Sequence, residues 1–105
     1  MISRIWHGYT TLGNADIYEN LLKEEIFIGI KSKKIEGFKE IQLFRRSLGE
    51  EVEFITIMWF SSIEAVKKFA GEDYEKCVVP PNARKVLKRF DLLSQHYEVE
   101  ERLEN

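Results

Sequence analysis

The chain has 105 residues, with 16 basic and 18 acidic side chains for a net charge of −2, 44% apolar residues and 32% charged ones. That length suits a single domain over residues 1–105, and that balance is enough to fold while implying no polyanion and hence no nucleic-acid partner. The lone cysteine, Cys77, cannot close an internal disulfide, residues 1–10 hold no apolar leader, and the longest strongly apolar run, residues 54–60, is far short of a membrane span, so a cytoplasmic location is expected.

Residues 2–9 are rich in β-formers and predict a strand. Gly13 and Asn14 mark a turn and a helix cap. Ala15, Tyr18, Leu22, Ile26 and Gly29 recur at helical spacing and predict one amphipathic helix over 15–31. Gly37 restarts the chain. Residues 38–47 and 52–60 read as two strands around Leu48-Gly49-Glu50-Glu51, a hairpin with glycine in its turn. Ser61 and Glu64 have the spacing of a capping box. The helix it opens presents Ile63, Val66, Phe69 and Ala70 on one face, and Gly71 is placed to end it. Pro80-Pro81 interrupts the chain again, with a short helix over 81–87. Leu93, Tyr97 and Val99 share a parity in a last strand over 90–101. The order β-α-β-β-α-β, with right-handed crossovers, predicts an α+β, ferredoxin-like fold: a four-stranded antiparallel sheet with both helices on one face.

Side chains alternate along a strand. In the third strand Ile55, Ile57 and Trp59 oppose Phe54, Met58 and Phe60. In the second, Ile41 and Leu43 oppose Phe38 and Phe44, and in the first, Ile5 opposes Ile2 and Trp6. A sheet apolar on both faces needs cover on both. Two helices cover one; a second copy of the same sheet, packed about a two-fold axis, is the simplest cover for the other.

No sequence motif announces a chemistry. There is no CxxC, HxH, HExxH, P-loop or GxSxG, so no metal site and no cofactor is expected. Cys77 reads as a small apolar filler. Arg84, Lys85, Lys88 and Arg89 read as a solvated helix end. Two histidines remain. His7 sits on the first strand, at helix-side parity if the helices cover the Ile5 face, where it is either a hydrogen-bonded core residue or a proton carrier. His96 shares its face with Ser94 and Glu98, which reads as a solvated edge. Trp59 can wall a pocket or fill the core, and Tyr74, just after Gly71, can lid a pocket or pack.

Ile5-Trp6-His7-Gly8, the run from Thr56 through Trp59-Phe60-Ser61-Ser62, Phe69-Ala70-Gly71 and His96-Tyr97-Glu98-Val99 together resemble antibiotic-biosynthesis monooxygenase domains over nearly the whole chain. The resemblance implies a dimeric α+β barrel, a homodimer whose two sheets face each other with the helices outside. It also implies a pocket between each sheet and its helices. Such proteins oxidise small aromatic or quinol-like substrates with molecular oxygen, often without metal or flavin, and a related branch degrades heme. Carried over by position, the resemblance makes Trp59 the pocket tryptophan. It puts His7 where the heme-degrading branch has an asparagine, as general base or hydrogen-bond donor. Phe69 and Tyr74 shape the pocket, with His96 as a further pocket residue. The histidine that ligates heme in that branch would fall near residues 77–79, where this chain has none. The competing expectations are a noncatalytic ligand-binding or stress-associated module on the same barrel, and a nonoxidative isomerase or decyclase.

Overall fold

The computed structural model describes residues 1–105. Strand β1, Ile2–Thr11, runs through the middle of one antiparallel sheet. On one side of it lie β3, Glu51–Phe60, and then β2, Phe38–Ser47. On the other side lie β4, Arg89–Phe90, and β5, Gln95–Glu98, both paired to β1. The expected four lanes therefore hold five strands, because the last lane is interrupted. Between β4 and β5 the chain leaves the sheet and bonds to the 71–80 segment instead. The Cys77 N–H donates to the Leu92 carbonyl at 2.9 Å, and the Ser94 N–H to the Glu75 carbonyl at 2.7 Å. The Trp6 indole N–H donates to the Asp91 carbonyl at 2.8 Å, satisfying a backbone group at the break.

The first helical run is α1, Ala15–Leu21, a π-helical turn, Leu22–Ile26, and α2, Phe27–Ser32. It spans the expected 15–31, but the Phe27 N–H donates to Leu22, five residues back. The extra residue per turn re-phases the helix, so that Tyr18, Leu22, Ile26, Phe27 and Ile30 all meet the sheet side. Helix α3 is Ile63–Ala70. Its cap is Ser62, whose hydroxyl accepts from the Ala65 N–H at 3.2 Å; the Ser61–Glu64 box is one residue early. Gly71, at φ +90°, ends it. The expected 81–87 helix is one turn, α4, Pro81–Arg84.

All helices pack on the face carrying Ile2, Arg4, Trp6, Gly8 and Thr10 of β1 and Val52, Phe54, Met58 and Phe60 of β3. Phe54, Phe60 and Val66 are fully enclosed there. The helices thus cover the Trp6 face and not the Ile5 face. The pairing of β2 slips between Phe38 and Glu40, so Lys39 is an extra residue in the strand. That bulge moves Phe38 to the covered face beside Ile41, where it packs on Phe60, and leaves Phe44 opposite, 47% exposed. Gly37 sets the entry to β2. At φ +88° it lies against α3 so closely that a Cβ would stand 2.5 Å from that of Ala65.

Candidate functional site

A cavity lies between the first helical run and the sheet. Tyr18, Leu22, Ile26, Phe27 and Ile30 roof it, Trp6, Ile41 and Met58 floor it, and Phe69, Val78 and Val79 close its side. Its interior is about 60 Å³, room for about two waters at roughly 30 Å³ each, so a ring-sized ligand would extend into the groove beside it. A shallower groove of about 320 Å³ on the outside shares Ile26, Ile30, Phe69 and Val78 with it and leads to solvent past Lys33.

Three polar side chains reach this apolar wall: Arg4, Thr56 and Ser94. Arg4 is the unusual one, only 3% exposed and without a carboxylate partner. Burial lowers its pKa to about 10, with the Cys77 sulfur acting in the opposite direction, so the guanidinium stays charged at neutral pH. One Nη1 hydrogen goes to the Tyr74 carbonyl at 2.5 Å and the other to His96 Nε2 at 3.0 Å, while Nη2 donates to the Lys76 carbonyl at 3.0 Å. The cation also stands 5.5 Å from the centre of the Phe69 ring. Because arginine can only donate, His96 must present a bare Nε2 to it and carry its proton on Nδ1. Burial first, and the Arg4 charge second, push the His96 pKa down to about 4, so His96 is neutral. The Tyr74 ring meets the imidazole edge-on at 5.1 Å.

The sequence-derived residues separate into two groups. Phe69 lines the cavity. Tyr74 and His96 stand behind its wall and hold Arg4, so His96 is not a solvated edge residue. His7 and Trp59 lie on the opposite face of the sheet, across the strand from the cavity. Their parity with Ile5, Ile55 and Ile57 sends them away from the helices. The helix-side ring at the end of β3 is Phe60. His7 Nδ1 lies 3.2 Å from Asp91 Oδ2 with its side chain 30% exposed, and the Trp59 indole donates to Gln42 at 3.0 Å. Near His7, Glu53 accepts from Arg46 at 2.6 Å and from the Tyr9 hydroxyl at 3.2 Å. The Arg46 bond chiefly holds the Glu53 carboxyl below its usual range, against burial. Arg4, Thr56 and Ser94 were missed from sequence. A signal for Arg4 existed, since it is the charged member of the otherwise apolar parity Ile2, Arg4, Trp6.

Two solved structures share this architecture over almost the whole chain. A Bacillus cereus protein described as an antibiotic biosynthesis monooxygenase superposes with a TM-score of 0.70 at 15% identity, covering 99% of this chain and 97% of that one. The heme-degrader MhuD of Mycobacterium tuberculosis, solved with two hemes bound in its active site, gives 0.60 at 19% identity, covering 99% and 100%. The chain has their fold. No family model and no curated protein matches it. The resemblance seen in the sequence and the architecture therefore agree at the level of fold.

Heme does not fit the residues present. A cavity of about 60 Å³ is far smaller than a tetrapyrrole. Of the two histidines, His7 is on the other face and His96 has its Nε2 turned to Arg4. No group of three or more His, Cys, Asp or Glu side chains is arranged to hold a metal ion, and no helix is long and apolar enough to cross a membrane.

Proposed function

We propose that the chain is a small oxygen-using enzyme of the antibiotic-biosynthesis-monooxygenase type, oxidising a small aromatic or quinol-like substrate in the cavity between helices and sheet. The observation that carries this is the cavity itself: a mostly apolar enclosure with three convergent polar groups, on a fold shared with a protein described as such a monooxygenase. In the cofactor-independent form of the reaction, the substrate supplies the electrons. A hydroquinone ring takes up one oxygen atom and becomes the hydroxyquinone, and the two hydrogens it loses leave with the other oxygen atom as water. The protein excludes solvent and stabilises the substrate oxyanion, the task for which Arg4 is placed. His96 acts as a positioning residue that holds Arg4.

We also propose that the open sheet face pairs with a second copy. Ile5, Ile55, Ile57 and Trp59 on that face are half-buried by their neighbours alone, and Phe44 and Tyr97 are 47% and 54% exposed. Such a contiguous apolar face favours association. The expected result is a dimer in sedimentation that Trp59→Lys converts to monomer; a monomeric parent protein would end this part of the proposal.

The catalytic test is oxygen uptake with a panel of one-ring hydroquinones, with and without a ring carboxylate, without added metal or flavin. Uptake above the spontaneous rate, abolished by Arg4→Met and kept by His7→Ala, supports the cavity as the site. The reverse pattern would move the chemistry to the His7–Asp91 pair, where a carboxylate lies beside an imidazole as a general base requires. No uptake with any member favours the noncatalytic binding module.

A further inference from the structure

Taking the cavity as the ligand site, we infer that it is built for a ligand that arrives already ionised: a one-ring aromatic molecule bearing a carboxylate or an equally acidic oxygen, with Arg4 as its receptor.

Three observations carry this. First, Arg4 has five N–H donors, and three are used, by two backbone carbonyls and His96. Nε–H and one Nη2 hydrogen have no acceptor in the chain, which leaves two charged donors for an anionic oxygen. Second, no carboxylate of the protein neutralises it. Every Asp and Glu in an ion pair is paired elsewhere. Burying a guanidinium without a counter-charge is costly. If tying the 71–80 segment to β1 were its whole task, a neutral amide would meet the same two carbonyls at lower cost. Third, the cavity wall contains no base. Apart from Arg4 its polar groups are the hydroxyls of Thr56 and Ser94, and His96 offers its lone pair to Arg4 rather than to the cavity. A ligand that needed deprotonation would find no acceptor there.

The test uses the intact protein and two probes of nearly equal shape, benzoate and benzamide, by titration calorimetry at pH 7. The expected result is that benzoate binds at least tenfold more tightly. The ¹⁵N–¹H resonance of Arg4 Nε is expected to shift with benzoate and stay in place with benzamide. Arg4→Met is expected to erase the preference. Should that variant fail to fold, the Nε resonance in the unaltered protein decides. Equal binding of both probes overturns the inference and leaves the cavity standing as a ligand site. Binding of neither overturns both. Benzoate binding that moves Arg4 in a protein with no oxygen uptake on any substrate sustains this inference and sinks the oxygenase reading.

Discussion

The two faces of the sheet are made from the same three long strands and both carry apolar residues, yet they differ in kind. The covered face buries Arg4 more completely than the open face buries Ile5, Ile55, Ile57 or Trp59. It holds a cation without a counter-charge beside a mostly apolar cavity. The open face meets its charges in pairs at its margin, with Arg46 on Glu53, His7 beside Asp91, and Lys88 and Arg89 on Glu51. The contrast teaches that hydrophobicity does not say which side of this sheet is inside. The helices choose the side, and the residue out of character on that side points to the ligand.

The largest expected effect falls on packing. Phe60→Ala, on the covered face, is expected to cost about 3–5 kcal/mol of unfolding free energy, the usual range for emptying an aromatic site in a closed core. Trp59→Ala next to it is expected to cost less than half as much in urea unfolding at concentrations where the protein is monomeric. Equal costs would erase the distinction between the faces.

Acid sharpens the same comparison. His96 has its pKa lowered from 6.5 to about 4 in the folded chain. Between those values the unfolded chain binds the proton and the folded chain does not. Stability is therefore full above pH 6.5 and falls as the pH drops toward 4. After discounting for its partial exposure, the loss is on the order of 1–2 kcal/mol. His96→Gln is expected to flatten the stability profile across that window. Carboxylates on the open face act lower down. Glu51, with its pKa lowered to about 2 chiefly by Arg89 and then Lys88, keeps its contribution above 4.5 and loses it as the pH falls toward 2.

A smaller effect is expected at Thr10. Its hydroxyl is wholly buried on the covered face with no hydrogen-bond partner. Thr10→Val removes an unmet polar group at nearly constant shape, so thermal unfolding should show no change or a gain of up to about 1 kcal/mol. The smallest belongs to His7→Ala, partly exposed and paired only with Asp91. It is expected to stay within about 0.5 kcal/mol and to leave benzoate affinity unchanged in calorimetry.

Much of this architecture was legible in the sequence. The strand runs, the Gly49 hairpin, the Gly71 stop and the two-faced alternation of β1 and β3 are local signals, and local signals survive folding. The parts that were not legible depend on partners distant in the chain. Nothing in Phe38-Lys39-Glu40 announces a bulge, so the face of Phe38 was inverted. Nothing in Leu22–Ile26 announces an i to i+5 turn. The break between β4 and β5 exists because residues 91–94 find the 71–80 segment and the Trp6 indole, contacts more than ten residues away. The candidate site follows the same rule. Phe69 lines the cavity, whereas His7 and Trp59 lie on the other face, because the parity argument could not say which face the helices would take.

The chain contains two tryptophans, and the sheet divides them. Trp6 is 8% exposed in the cavity wall, its ring lying over Gly8, and Trp59 is half-buried on the open face beside Gln42. Intrinsic fluorescence therefore carries two separable signals. Emission that survives in Trp59→Phe reports what enters the cavity, and emission that survives in Trp6→Phe reports what approaches the other side. Occupancy and assembly can thus be followed in one cuvette without attaching a dye.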